Sequence, residues 1–337
     1  VGLAFYLALA LRKHLRDRGF FQDRKEPNLK KSCDLVALGT VSDMVPLVRE
    51  NRILTCTGME VLRSACRPGI KALAEVCGVD HRHIDAQDIS FRFGPRINAA
   101  GRMDHAGVAE RLLKTPLPEK AGQDAAMLSK FNSRRQQEEE NVLADILARM
   151  DRDPGLAQKN CMVFSSPDWH EGVVGIVAAR LTRLYFKPAI LISIKKGVGK
   201  GSARSIPGID IRSALTECAH LLLNFGGHPM AAGLQLPAHQ IEPFGDRLDQ
   251  VIGRAASPAD FLPKISIDYV LELSDITEKL IDEIASLGPF GVQNPEPVFM
   301  ASNVHVHTSK LVGNRHRRML LSSSPEKQNP GLWAIQF

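Results

Sequence analysis

Residues 119–150 keep helical spacing over 32 positions, with Gly122 as their one glycine and no proline. Ala125, Leu128, Phe131, Val142, Ile146 and Met150 form an apolar stripe, and the middle, from Asn132 to Glu140, is strongly polar. A helix this long can bridge two domains, with a separate core gripping each end. Asp153-Pro154-Gly155 stops it. The 337 residues are also too many for one ordinary core, so two or three domains are expected.

The flanks of this helix differ in pattern. Residues 1–19 are helical, with basic residues gathered at the C-terminal end, where the helix dipole favours them. The apolar run from Asp34 to Asp43 reads as a buried strand of a parallel sheet followed by a loop. Residues 49–67 and 70–77 read as helices broken by Pro68-Gly69. Beyond the long helix, 160–250 alternates between types: strands at 161–164 and 189–194, helices at 172–184 and 211–224. A glycine-rich turn at Gly226-Gly227-His228 and a short strand to Leu236 follow. From Pro263 onward Ile265, Ile267 and Tyr269 alternate with polar residues, as do Val304 and Val306, which predicts antiparallel strands around a helix near 275–286. The fold class is therefore α/β, with a β-rich end.

Lys and Arg exceed Asp and Glu by 43 − 37 = +6, a modest excess that fits a polyanionic partner. Six scattered cysteines, Cys33, Cys56, Cys66, Cys77, Cys161 and Cys218, form no CxxC pair and read as reduced thiols of a cytoplasmic protein. The apolar start, Val1 to Leu11, precedes its charges and is too short to span a bilayer, so neither a signal peptide nor a membrane anchor is expected. A helix and a strand lying directly at the two ends suggest a fragment of a longer chain.

Several residue groups have chemistry in them. Asp43, past the end of the expected strand, is placed as a hard-metal ligand or as an ordinary Asx-turn or cap, and spacing alone favours the cap. Asp34, at the other end of the run, is the weaker metal candidate. Arg92, Arg96 and Arg102 surround Asn98 and Gly101, and guanidinium forks match phosphate geometry as well as they match surface ion pairs. The run from Gly199 through Lys200, Ser202 and Arg204 reads as a phosphate cradle or a basic hairpin. His170 reads as a cap before a helix, His228 as a histidine on a glycine turn, and Lys310 with Arg315, His316, Arg317 and Arg318 as a basic loop or a nucleic-acid track.

Six motifs occur in one order: Asp34-Leu-Val-Ala-Leu-Gly-Thr-Val-Ser-Asp43-Met-Val-Pro-Leu47, Arg96-Ile-Asn-Ala-Ala-Gly-Arg102, His170-Glu-Gly-Val-Val-Gly175, Ser202-Ala-Arg-Ser205, Gly226-Gly-His228 and Pro289-Phe-Gly-Val-Gln-Asn-Pro-Glu-Pro297. Along its whole length the chain resembles the RecJ single-stranded-DNA exonucleases of the DHH phosphoesterase superfamily. That resemblance implies the C-terminal portion of a parallel-sheet DHH domain at 1–118, the bridging helix at 119–150, an α/β DHH-associated domain at 151–256 and an incomplete oligonucleotide-binding (OB-fold) β-barrel at 257–337.

It also implies 5′ to 3′ hydrolysis of single-stranded DNA in repair and recombination, with Mn²⁺ or Mg²⁺ in a two-metal site. Single-strand-binding protein and a helicase are the implied partners. Of the family's four metal motifs only the last maps here, onto Asp43, so the fragment alone is expected to be inactive. His228 would face the scissile phosphate, beside Gly226 and Gly227. Ser202 and Arg204 would bind the 5′ phosphate, helped by Arg102 or Arg96 with Asn98 nearby, while Asn132 and Gln136 line the groove and Arg317 grips DNA. The alternatives are a DHH phosphoesterase for short oligonucleotides or nucleotide phosphates, and a non-catalytic replication-associated relative.

Overall fold

The structure is a computed structural model that describes residues 1–64, 67–313, 316–325 and 331–337. Cys66 and Arg315 therefore lie outside the described residues. The chain forms two compact units, one of Val1–Ala65, Arg82–Ser90 and Ile265–Phe337, the other of Cys66–His81 and Phe91–Lys264.

In chain order the first part is helical: α1 (Gly2–Asp17), α2 (Cys33–Ser42), α3 (Arg49–Ser64), α4 (Pro68–Cys77), a single turn α5 (Ala86–Asp88), α6 (Gly94–Met103) and α7 (Gly107–Lys114). Residues 34–42 are thus a helix, which corrects the strand expected there. An apolar run without a polar face is equally compatible with a strand and with a helix buried all round. Packing decides for the helix. Val36, Ala37, Leu38 and Val41 are all buried, and α3 lies so close that a Cβ on Gly58 would come within 2.2 Å of the Cys33 carbonyl oxygen. Asp43 becomes the C-cap residue of α2, and Asp34, in its first turn, is buried.

Helix α8 (Pro118–Arg152) is 35 residues long, on the order of 50 Å at 1.5 Å per residue. Pro118 opens it at a position where a missing N–H is harmless. Its N-terminal half packs with α4, α6 and α7. Arg111 of α7 forks onto the buried Asp124 at 2.7 Å, and Arg96 of α6 reaches Ser129 Oγ at 3.4 Å. Its C-terminal half contributes Val142, Leu143, Ile146 and Met150 to a second core. There Arg149 holds Asp145 in a bidentate pair, donates to the Ser165 carbonyl at 2.8 Å and stacks 5.2 Å from the centre of the Trp169 ring.

After the short α9 (Gly155–Gln158) come β1 (Met162–Ser166), α10 (Glu171–Tyr185), β2 (Ala189–Lys195), β3 (Val198–Arg204), α11 (Ile211–Glu217), β4 (Asn224–His228), β5 (Ala231–Pro237) and α12 (Ile241–Ala255). The five strands make one sheet in the order β1-β2-β3-β5-β4, parallel only between β1 and β2. Ile190, Ile192, Ala203, Leu234 and Leu236 face one core together with Phe244, Leu248, Val251 and Ile252 of α12. On the other face Met162, Phe164, Ala189 and Leu191 meet α10 and α8. Each such buried Leu or Ile contributes about 1.5–3 kcal/mol relative to exposure. Helix α11 ends at Glu217 rather than Asn224; the run from Gly199 to Arg204 lies on β3, which pairs with β2 as a hairpin, and the expected turn at 226–228 is strand β4.

The remaining elements are β6 (Tyr269–Val270) paired parallel to β7 (Phe299–Met300), helix α13 (Glu278–Ser286), and an antiparallel sheet of β8 (His305–Val312), β9 (His316–Ser322) and β10 (Leu332–Gln336) in the order β10-β9-β8. Ile265 and Ile267 lie before β6 and outside any strand. Among the described residues Cys33, Cys56, Cys161 and Cys218 are free thiols. Among the described residues no helix is long and apolar enough to cross a membrane.

Candidate phosphate-reading site

The residues that come together do so on the α10 side of β3. Alternation along β3 turns Gly199, Gly201 and Ala203 into the core and leaves Lys200, Ser202 and Arg204 on the opposite face. Lys200 is taken up by Glu171 at the start of α10, 3.0 Å away. Ser202 and Arg204 lie under Gly175, where a Cβ would stand 2.8 Å from Ser202 Oγ and 3.1 Å from Arg204 Nη2. Helix α10 reaches this close only because position 175 has no side chain. His170 caps that helix, its Nδ1 accepting from the Gly172 N–H at 3.0 Å.

Arg204 folds along its own strand. Its Nη1 donates to Ser202 Oγ at 2.9 Å and to the Ala203 carbonyl at 2.8 Å. Arg102, at the end of α6, approaches from the other side and donates through Nη1 to the Gly172 carbonyl at 3.2 Å. One turn of α10 therefore separates the group that Arg102 touches from the glycine above Ser202 and Arg204. Desolvation holds the Arg204 guanidinium below the usual arginine value, and the positive charge of Arg102 adds to it. Arg102 is held below that value too, first by desolvation and then by Arg135, although its solvent exposure screens the repulsion. Crowded cations with partial desolvation favour an anion between them.

Strand pairing extends the site sideways. Ser202, Gly233 and Gly226 stand in one row across β3, β5 and β4, and Arg204, Ala231 and His228 stand two residues on, in the next row of the same face. At about 4.8 Å per strand, the His228 backbone is about 10 Å from that of Arg204. A Cβ on Gly226 or Gly233 would meet nothing within 4 Å, so the floor between the arginine and the histidine is open. Gly227 has φ +149°, and a Cβ there would lie 2.4 Å from the Ala231 carbonyl oxygen, so only glycine sits at this place in the edge strand. His228 is exposed on it.

Other expected residues fall elsewhere. Arg96 donates to the Arg92 carbonyl at 2.9 Å and reaches Ser129, whereas Asn98 is exposed and, four residues before Arg102, shares its side of α6. Asn132 is buried, and its Oδ1 accepts from Arg135 Nη2 at 2.9 Å, so it supports an arginine rather than lining an open groove; Gln136 is exposed. Arg135 and Glu139, 2.6 Å apart, escaped the sequence reading, where they look like any surface i, i+4 pair. In the other unit Asp43 is exposed at the C-terminus of α2. Among the described residues no three or more His, Cys, Asp or Glu side chains gather to hold a metal ion. Arg317, exposed on β9, donates to Ser309 Oγ at 3.2 Å, and its neighbour Arg318 stacks 4.0 Å over the Trp333 ring. Trp333 was also missed, because cross-strand register puts it diagonal to Arg318.

Residues 158–254 match the DHHA1 domain, and residues 267–334 match the RecJ OB domain. The chain is 38% identical over its full length to the single-stranded-DNA-specific exonuclease RecJ of Salmonella typhimurium, covering 60% of that protein. It is 36% identical to the Bacillus subtilis protein of the same description, over 93% of the chain and 38% of the relative. The chain thus spans about three-fifths or less of the length of these curated relatives. Among solved structures, RecJ of Thermus thermophilus in complex with Mn²⁺ superposes with a TM-score of 0.77 at 29% identity, over 93% of this chain and 47% of that one. An exonuclease RecJ bound to manganese gives 0.63 at 33% identity, over 77% and 62%. With a match to the DHHA1 domain followed by a match to the RecJ OB domain, the chain is similar along its whole length to the RecJ exonucleases.

Proposed function

We propose that this chain serves a single-stranded-DNA-specific exonuclease that hydrolyses phosphodiester bonds from a 5′ end. The observation that carries the reading is the convergence of Arg204, Ser202 and Arg102 around the first turns of α10. A terminal phosphomonoester carries close to two negative charges and three free oxygens, whereas an internal phosphodiester carries one charge. Two guanidiniums, one of them hydrogen-bonded to a hydroxyl, discriminate between these groups through charge-assisted, geometrically fixed hydrogen bonds. Arg204 and Ser202 bind the end; Arg102 completes the cradle from α6. The bare floor over Gly226 and Gly233 lets the backbone of the next nucleotides lie close to the sheet, with His228 at its far side to hold or pass a proton.

Mn²⁺ or Mg²⁺ belongs to the same reading, because Thermus thermophilus RecJ is solved with each ion. Such ions polarise the scissile phosphate and supply hydroxide when bound. The described residues do not form that centre by themselves; Asp43 is proposed as one carboxylate of it. The exposed Arg317, Arg318 and Trp333 are proposed to grip the strand further along, by charge and by stacking. A cytoplasmic setting, and work in repair and recombination beside single-strand-binding protein and a helicase, complete the proposal.

The test is Arg204→Ala in the full-length protein, measured with 5′-phosphorylated and 5′-hydroxyl oligonucleotides of one sequence. The preference for the phosphorylated end is expected to collapse. An unchanged preference refutes the pocket.

A further inference from the structure

The long helix carries a second ion pair that the phosphate reading leaves unused. Asn132, Arg135 and Glu139 sit at i, i+3 and i+7, on one side of α8. Arg135 and Glu139 are 2.6 Å apart with side-chain exposures of only 12% and 13%. Other i, i+4 pairs of the chain, Lys13–Asp17 and Lys114–Glu110, are more than half exposed. Arg135 also donates to the buried Asn132, and its Nε is buried without a hydrogen-bond partner among the described residues. Burying an ion pair and leaving a donor unsatisfied both oppose stability, so this arrangement calls for another reason to exist.

The surroundings supply one. Arg135 lies within electrostatic reach of Arg102, and Arg102 within reach of Arg204. Glu139 faces Arg135, Arg102 and, from α10, Arg180; desolvation nevertheless holds its carboxyl above the usual range. It is the one acidic group acting on Arg102 in this cluster.

We propose that Arg135 and Glu139 are positioning residues for the phosphate reader: Glu139 fixes Arg135 and offsets its charge, so that Arg102 stays turned to the start of α10, beside Ser202 and Arg204. The inference rests on the reading of that site as a 5′-phosphate pocket. Four guanidiniums, Arg102, Arg135, Arg180 and Arg204, against one Glu139 leave 4 − 1 = +3, an excess that a terminal phosphate dianion offsets better than a singly charged diester. Without Glu139, the extra positive charge strengthens binding to any backbone phosphate, and Arg102 is pushed from its place.

The experiment measures binding of 5′-phosphorylated and 5′-hydroxyl single-stranded oligonucleotides to the full-length protein by fluorescence anisotropy in EDTA, so that no hydrolysis intervenes. In Glu139→Gln the ratio of the two dissociation constants is expected to fall about tenfold, a change typical of a lost charge pairing near a ligand. The double variant Arg135→Gln with Glu139→Gln, which removes both charges, restores most of the ratio. A purely structural role predicts something else: both ligands weaken together and the ratio stays, which overturns the proposal, as does failure of the double variant to recover. If Glu139→Gln does not fold, Glu139→Asp, which keeps the charge but shortens the reach to Arg135, is used instead: the ratio is expected to fall by less than tenfold, and an unchanged ratio overturns the proposal. A wild-type protein without any preference for the phosphorylated end sinks the underlying pocket instead; a wild-type preference that survives in Glu139→Gln sinks this inference alone.

Discussion

The DHHA1 region and the C-terminal β region handle apolar and basic residues in opposite ways. In the first, both faces of the sheet are covered at β2, where Ala189, Ile190, Leu191 and Ile192 are fully buried, and one face opens only towards β4. Its Arg204 is crowded by Arg102 of α6 and partly desolvated. In the second, Tyr269, Leu311, Trp333 and Ile335 all remain exposed, Ser322 is the one fully buried residue among those described from 265 on, and Arg318 lies open over an aromatic ring. A rigid, covered sheet can hold a few cations at fixed spacing, which is what reading one chemical group requires. An open sheet with exposed rings and cations suits many similar units of a strand, because every base has a flat face and every link a charge.

The contrast can be broken most directly through stability. Leu191→Ala should cost about 2–5 kcal/mol in chemical denaturation, whereas Leu311→Ala should stay within about 0.5 kcal/mol. Equal losses would mean that the C-terminal sheet has a core after all. Gly227→Ala is the next largest effect, about 1–3 kcal/mol from its left-handed φ and the contact with Ala231, read as a lower melting temperature. A melting curve like the wild type's would show that the edge strand relaxes freely. Trp333→Ala should weaken single-stranded DNA by about 1–3 kcal/mol, the worth of one stacked base, at the same 5′-phosphate preference. A changed preference with unchanged affinity would exchange the roles assigned to the two regions.

The smallest effect concerns Cys218, buried under α12. Desolvation pushes its thiol up to about 11 from 9.0. The folded value is the raised one, so the stability it contributes is complete below the unfolded thiol value and is lost as pH rises through about 11. Cys218→Ala should flatten the alkaline fall in stability by on the order of 1 kcal/mol between those values, measured by urea denaturation at several pH values.

How far each element was legible depends on how local its cause is. The α8 stripe, β2 and the α10 pattern follow from neighbours within one or two turns, and the structure has them where the spacing put them. Asp34 to Ser42 misled because a segment buried on every side loses its period, and the contact that made it a helix comes from Gly58, more than a dozen residues on. At the site, Ser202, Arg204 and the glycines stood out by composition. Arg135, Glu139 and Trp333 did not, because burial and cross-strand register gave them their partners.

Sequence alone determined the α/β class, the long helix, the β-rich end and the arginine-, serine- and glycine-bearing motifs, since periodicity and residue chemistry are properties of short stretches. Tertiary structure decided which cations share a site. Lys200 was neutralised by Glu171, Arg96 was drawn to α8, and Arg102 was brought beside Arg204 across 102 positions of chain. Those outcomes depend on Coulombic and packing contacts between distant segments, which act only once the helices and the sheet have closed on one another.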